Sequence, residues 1–248
     1  KVNSSGRLEA DMENPITTGI RNVYIELQDS SGNKVTGTYA SDTGSVRFTG
    51  LDPKKRYMPV IKSIGKNSSG FEIHVLDNMR PVSTVASTIR TRYEPYLNRA
   101  AEYTPDPKRL KQATELTAKL GWDATLKILR DDQRISAPYI VLADAMEQQA
   151  YVAQNGAVNS VDSVSILWSA QNKGGATDNN NYDRGFVRSS GAFYSRGAIT
   201  IAADGRVNSG GNENIPHIFL SGAPAFELQE LSTAITAHEM THFTQDKS

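Results

Sequence analysis

The chain has 248 residues, no cysteine and no formal net charge, with 27 Lys and Arg residues against 27 Asp and Glu residues. This balanced charge argues against nucleic acid or an anionic membrane as a partner. Because cysteine is absent, disulfides and thiolate chemistry are excluded, and His, Asp and Glu remain as metal ligands. No apolar stretch reaches the roughly 20 residues that span a bilayer, so we expect no membrane span.

The first quarter of the chain predicts short strands separated by turns. Residues 23–27 and 45–48 alternate between apolar and polar side chains, and residues 29–33 are typical of a turn. Residues 57–61 and 71–76 are further strand candidates. Turn signals that recur roughly every 8 to 12 residues favour a β-sandwich.

This segment resembles a carboxypeptidase regulatory-like, prealbumin-like β-sandwich. The matching residues are Gly6 to Ala10, Pro15, Ile16, Gly19, Ile20, Val23 to Asp29, Gly32, Asp42 to Gly44, Phe48, Leu51 and Tyr57. The resemblance implies a non-catalytic first domain over residues 1–92 that acts as a spacer, folding unit or attachment module. A binding role for it is left open, because fold alone does not establish one.

The length suffices for two domains, each with its own core. Prolines mark a linker at residues 93–106, and the second domain is expected over residues 107–248. Apolar residues at helical spacing predict two short helices between residues 107 and 129 and a longer one over residues 137–152. The core-facing positions are Leu110, Ala113, Leu116 and Leu120, then Trp122, Leu126 and Leu129, then Ile140, Ala143, Met146 and Ala150.

Shorter elements are expected between the long helix and the end of the chain. A strand is predicted over residues 161–168, and a solvated loop rich in Gly, Asn and Asp over residues 171–185. Its acidic cluster from Asp178 to Asp183 offers oxygen ligands, so calcium is weighed there against an ordinary turn. Residues 192–195 and 197–201 predict further strands.

The most informative motif is the HExxH sequence of His238, Glu239 and His242. Positions four apart stand one above the other on a helix, so the two histidines can hold one zinc ion while Glu239 acts as general base on the zinc-activated water. A helix is predicted independently, because Leu231, Ala234, Ile235 and His238 recur at helical spacing as its apolar side. Gln229 and Thr236 are expected to face solvent.

A catalytic zinc normally has three protein ligands, and the third is not obvious here. Asp246 lies about 12 Å along the axis from His238 at a rise of roughly 1.5 Å per residue, which is far for one ion. The longer HExxHxxGxxH pattern is absent, because Gln245 and Ser248 occupy its glycine and third histidine positions. We therefore expect the third ligand, a Glu or Asp, on a later helix in sequence missing from this chain.

The second half resembles bacterial secreted zinc-peptidase-like proteins, or zincins, from Leu231 through the motif to Phe243 and Gln245. The resemblance implies His238 and His242 as ligands, a secreted or cell-surface location and a peptide or protein substrate. Zincins bind substrate as an added strand along a sheet edge. The candidate edge is Gly197, Ala198 and Ile199, and a buried central strand is the alternative.

Two further histidines are candidates for lesser roles. His217 follows a loop ahead of the motif helix, where it could stabilise an oxyanion or make a structural hydrogen bond, and the structural role is favoured. His74 lies in a predicted strand and is expected at the surface or half-buried.

The sequence thus predicts a multidomain protein, an all-β prealbumin-like sandwich followed by an α+β zincin-like metallopeptidase domain that is incomplete at its C-terminal end. Its expected function is hydrolysis of peptide bonds with zinc as cofactor and Glu239 as general base. The alternative is a non-catalytic extracellular binding or adhesion protein with a degenerate or incomplete zincin domain. A purely structural zinc would need four protein ligands.

Overall fold

The computed structural model describes residues 20–85, 88–99, 116–119, 137–154, 163–175, 179–188, 191–197, 199–210, 216–223 and 233–247. Its strands are β1 Val23–Gln28, β2 Lys34–Tyr39, β3 Ser45–Phe48, β4 Met58–Lys66, β5 Glu72–Asp77, β6 Leu97–Arg99, β7 Leu116–Lys119, β8 Val164–Ser169, β9 Phe193–Ser195, β10 Ile199–Ile201, β11 Val207–Ser209 and β12 His217–Ser221. Its α-helices are α1 Ile89–Arg92, α2 Ala137–Gln154 and α3 Thr233–Lys247, and a 3-10 turn covers Tyr182–Arg184.

Eight strands form one mixed sheet in the order β2-β1-β4-β5-β8-β12-β9, with β6 also paired to β4. The β1, β2, β4 and β5 strands are antiparallel neighbours, whereas β5, β8 and β12 run parallel. The last strand, β9, is antiparallel to β12. Two further pairs, β3 with β7 and β10 with β11, lie outside this sheet. The β-rich character expected from the sequence is confirmed.

The first hairpin shows why the alternating segments form strands. Val23, Ile25 and Leu27 are fully buried on one side of β1, as a period of two requires. In the turn that follows, the Asp29 carboxylate accepts hydrogen bonds from the backbone N–H groups of residues 31 and 33. Gly32 adopts φ +82°, a conformation that side chains disfavour. The predicted turn is therefore confirmed.

The two long helices, α2 and α3, pack on the same side of the sheet and against each other. The α2 helix is confirmed, but its buried face differs from the expected stripe. Leu142 and Ala145 are fully buried, whereas Ile140 and Ala143 are half-buried and Ala150 is exposed. The face is rotated by about one position, because the larger side chains of residues 141, 142 and 146 outweigh the alanines as anchors in the core.

The sheet and the core include residues from both expected domains. β5 pairs with β8 across the expected boundary. A single hydrophobic cluster joins Ile25 and Phe71 to Leu142, Ile166 and Phe243. Separate cores are therefore not seen among the described residues, and the position of a domain boundary, like the sandwich and zincin assignments, stays a prediction.

The opposite side of the sheet is held by buried polar contacts. The fully buried Arg92 forms an ion pair with Asp183, which also accepts a hydrogen bond of 2.7 Å from the Tyr93 hydroxyl. Asn78 and Asn172 bond each other through their side-chain amides at 2.9 Å. The expectation of a solvated loop over residues 171–185 holds only in part: Lys173 and Arg184 are exposed, whereas Asn172 and Tyr182 are buried and their polar groups have partners in the core.

The helix expected around residue 116 is also wrong where the structure describes it. Residues Leu116–Lys119 form β7, paired antiparallel with β3 so that Ala118 lies opposite Val46. Pairing satisfies the backbone groups of both short strands, which outweighs a local helical pattern. The remaining residues of the two expected short helices lie outside the described part. None of the helices that the structure describes combines the length and apolar character needed to cross a membrane.

Candidate metal centre

The HExxH motif lies on α3, as the sequence predicts, but the helix turns a different face to the core. Met240 and Phe243 are its large apolar anchors, with 0% and 2% of their surface exposed. Burying them also buries Thr236, which was expected to face solvent, and leaves Ala234 exposed. The buried face of α3 is therefore rotated by about a quarter turn from the expected one. Burial of the two large side chains, Met240 and Phe243, stabilises the helix more than burial of several small ones would. Leu231 and Gln229 lie outside the described residues.

This rotation exposes both histidines on the same side of α3. The Nε2 atoms of His238 and His242 are 3.0 Å apart, and the two rings are nearly perpendicular, at 87°. Two imidazole nitrogens bound to one tetrahedral zinc at roughly 2.0–2.1 Å stand about 3.3 Å apart. The donor type and spacing thus fit one zinc ion after a shift of about 0.3 Å, small for exposed side chains.

Glu239 lies beside the histidine pair but on the buried flank of the helix, with 6% of its surface exposed. Burial raises the pKa of its carboxyl group, while His238, His242 and a hydrogen bond from the Tyr194 backbone N–H act in the opposite direction. The net direction is upward. A carboxylate with a raised pKa accepts a proton more readily near neutral pH, as a general base requires.

Asp246 does not point to the histidine pair. Its Oδ2 atom accepts a hydrogen bond of 2.8 Å from the Tyr194 hydroxyl, and its Oδ1 atom accepts one of 2.6 Å from Nη1 of Arg196. Both oxygens are therefore directed at β9 and at the residue that follows it, in agreement with the expectation that the third ligand is not Asp246. Within the described ranges, no group of three His, Cys, Asp or Glu residues could hold a metal ion.

The sheet edge beside α3 is β9, not the expected segment. Ile199 belongs to β10, which pairs with β11 in a separate hairpin, and its side chain packs in the cluster on the opposite side of the sheet. Gly197 is an exposed bend after β9, and Ala198 lies outside the described residues. The assignment of this segment to the edge of the main sheet is thus wrong, because the chain leaves that sheet after Ser195. A substrate contact by Gly197 or Ile199 stays a prediction.

His217 is separated from the motif by the sheet. It is fully buried in β12, where its Nε2 atom lies 2.7 Å from the Tyr182 hydroxyl. Its neighbour Ile218 packs in the core under α2 and α3, and alternation therefore directs His217 to the other face. The oxyanion role is wrong, and the favoured structural role fits this position. His74 is half-buried and 3.4 Å from Glu72, as expected.

The described part of the candidate calcium loop uses its oxygens internally. The side chain of Asn180 accepts a bond from the Arg188 backbone N–H, and that of Asn181 accepts one from the Arg184 backbone N–H. Asp183 is engaged by Arg92. Asp178 lies outside the described residues. These bonds are those of an ordinary turn, and calcium gains no support from them.

Two residues of this region were not identified from the sequence, Tyr194 and Arg196. Tyr194 reaches α3 through its side chain, which bonds Asp246 and packs against Phe243, and Arg196 shares Asp246 with it. Alternation within residues 192–195 predicts the strand, but nothing local indicates partners about 50 positions further along the chain. Comparisons with known proteins give no match, whether with family models, curated proteins or solved structures.

Proposed function

We propose that the chain carries the zinc-binding helix and general base of a metallopeptidase. The observation that carries the proposal is the convergence of the His238 and His242 Nε2 atoms, 3.0 Å apart, on the exposed side of α3. A local hydrogen bond between the two rings has the same Nε2–Nε2 distance, so the zinc titration below decides between a metal site and a structural histidine pair. The third ligand is one that the described residues do not supply.

Each residue of the motif has a role that follows from its position. His238 and His242 would hold the metal in their neutral forms, each through Nε2. When bound, zinc supplies Lewis acidity that brings the pKa of water towards neutrality. Glu239, next to the ligands and shielded from solvent, accepts the proton of the attacking water and transfers it to the leaving amine.

The open side of β9 is the place we assign to the substrate backbone. β9 is the last strand of the sheet in the described part, paired with β12 along one side only. An extended peptide can add to such an edge through main-chain hydrogen bonds, which requires little side-chain specificity. Because the Tyr194 side chain bonds Asp246 and packs against Phe243 of α3, a peptide on this edge would pass beside the motif helix.

Zinc binding by single histidine variants tests the ligand assignment. We expect His238→Ala and His242→Ala each to weaken zinc binding by about 100-fold or more, the share of one ligand in typical protein sites. His74→Ala is the matched control, because this half-buried histidine is bonded to Glu72 and should leave affinity unchanged. Affinity is measured by competition with a chromophoric chelator. Failure of the full-length protein to bind zinc would sink the proposal and favour the non-catalytic adhesion alternative.

Hydrolysis of an unstructured polypeptide tests the general base. Glu239→Gln should retain zinc and lower kcat by roughly 10²- to 10⁴-fold, the usual contribution of general-base catalysis. Glu147→Gln, an exposed position on α2, is the matched control and should hydrolyse like the parent. Equal rates for Glu239→Gln and the parent would contradict the role of Glu239 whatever the zinc content.

A further inference from the structure

One carboxylate near the end of α3 joins the helix to the sheet edge. Asp246 Oδ2 accepts a hydrogen bond of 2.8 Å from the Tyr194 hydroxyl, and Asp246 Oδ1 accepts one of 2.6 Å from Nη1 of Arg196. The Tyr194 ring also packs edge-on against Phe243, with the ring centroids 6.1 Å apart. Positions two apart in an extended chain point to the same side, which lets both side chains reach α3. Two hydrogen bonds and an aromatic contact therefore hold β9 to the helix.

This anchor lies one turn beyond the second histidine of the motif. Asp246 follows His242 by four positions, so the two residues are neighbours on the surface of the helix. At a rise of roughly 1.5 Å per residue, they are about 6 Å apart along the axis. An extended chain that adds to the open side of β9 would therefore run beside the histidine pair.

We infer that Asp246, Tyr194 and Arg196 hold β9 at a fixed position beside the motif helix, so that an extended polypeptide bound along this edge is presented to the metal. The inference rests on the proposed function. The three are positioning residues, because they act on the substrate through β9, and both oxygens of Asp246 are directed at the edge and not at the histidines.

β9 depends on this anchor because the sheet holds it weakly. It has three residues and, in the described part of the chain, pairs with β12 alone. Short edge strands open more easily than central ones, and an opened strand offers a peptide no fixed position. The Asp246 side chain is only 12% exposed, so its bonds are largely shielded from water. The Arg196 side chain is 76% exposed, so it can be replaced without leaving a cavity in the core.

Peptide binding in the Glu239→Gln background, where cleavage is slowed, tests the inference. The probe is a fluorescein-labelled unstructured peptide long enough to pair along β9, titrated by fluorescence anisotropy against protein with and without zinc. Arg196→Gln and Asp246→Ala should each weaken binding by about tenfold, the cost of ordering an edge that has lost one charge-assisted hydrogen bond. The two losses should not add, because both changes break the same ion pair. Arg206→Gln, which removes an exposed arginine paired with Asp204 on another turn, is the matched control.

Hydrolysis of long and short substrates provides the second readout. With Glu239 intact, Arg196→Gln should lower kcat/KM for an unstructured polypeptide by about tenfold. It should leave unchanged both zinc affinity and kcat/KM for a blocked dipeptide, which offers too few main-chain groups to pair with β9. A purely structural role would instead lower both rates together. Arg196→Gln also keeps the test open if Asp246→Ala fails to fold.

Three results would overturn the inference: equal losses for the long and the short substrate, additive losses in peptide binding, or no peptide binding by any form of the protein. Peptide binding that depends on Arg196 and Asp246, in a chain that neither binds zinc nor hydrolyses peptides, would overturn the proposed function and leave the anchoring of β9 standing.

Discussion

The two long helices cover the same side of the sheet with different kinds of side chain. α2 buries mostly aliphatic and aromatic groups, including Tyr139, Val141, Leu142 and Met146. On α3, the described buried side chains are Met240 and Phe243 beside the polar Thr236, Glu239 and Thr244. Burial of apolar surface stabilises a fold, whereas burial of polar groups costs stability unless they are bonded. The difference fits a scaffolding role for α2 and, under the proposed function, a chemical role for α3.

The contact between the helices lets α2 hold α3 in place. α2 packs closely on β4 because Gly65 has no side chain there, and a methyl group at Gly65 would come within 2.9 Å of Met146 Sδ. α3 then lies between α2 and the sheet edge formed by β9. A helix with few apolar anchors can therefore display two histidines to solvent without loosening the core.

The largest expected effect separates stability from metal binding. Leu142→Ala removes a fully buried α2 side chain and should lower the free energy of unfolding by about 2–5 kcal/mol. Zinc affinity of the folded chain should stay the same. His238→Ala, at an exposed position, should weaken zinc binding and leave the free energy of unfolding unchanged. Urea denaturation and zinc titration of both variants check this crossed pattern. A folded Leu142→Ala chain that binds zinc as weakly as His238→Ala would show that the two roles are not divided between the helices.

A smaller effect concerns the half-buried carboxyl group of Asp144 on α2. Asp144 of α2 lies along a cleft of about 520 Å³ between α2 and the loops near Asn22 and Ser68. Burial raises the pKa of Asp144 to about 6, a bond with Thr233 of α3 opposes this, and the charge of Glu147 adds to it. Between about pH 4 and pH 6, the Asp144 carboxyl therefore keeps its proton in the folded chain but has lost it in the unfolded chain. Stability therefore falls as pH rises from about 4 to about 6.

Asp144→Asn removes this dependence and keeps a polar group for Thr233. We expect the variant to exceed the parent by about 1–2 kcal/mol in unfolding free energy at pH 7, after allowance for partial exposure, and to match it near pH 4. Denaturation across pH 4 to 7 measures the difference. Glu94→Gln, at an exposed position outside α2, is the control. A parent curve that does not fall over this interval would contradict the buried position of Asp144.

Local patterns in the sequence predict what depends on near neighbours. The alternation in residues 23–27 suffices for β1, because one face of that strand places apolar side chains in the core while the other carries Glu26, which pairs with Lys62. The spacing of His238 and His242 likewise predicts a helix that brings both rings together. These elements need no knowledge of distant parts of the chain.

Features that depend on distant contacts are not predictable in this way. The rotation of α3 is set by the packing of Met240 and Phe243 under the sheet, and Phe243 meets Phe71, the residue that precedes β5. The edge beside the motif is β9, because β10 turns away to pair with β11. Alternation alone does not show which side of β12 faces the motif, so His217 could not be excluded from the site beforehand.

The smallest effect tests whether the buried polar groups of α3 reduce its stability. The Thr236 hydroxyl is fully buried and has no hydrogen-bond partner in the described part of the chain, whereas the Thr244 hydroxyl donates to the Met240 carbonyl at 2.9 Å. Valine has nearly the shape of threonine, so Thr236→Val should raise the free energy of unfolding by about 1 kcal/mol. Thr244→Val is the matched control and should give no gain, because it removes a satisfied bond. Urea denaturation of both variants measures the difference in the free energy of unfolding. Equal effects would mean that burial of the Thr236 hydroxyl does not lower stability, and the contrast drawn between α3 and α2 would then not hold for this residue.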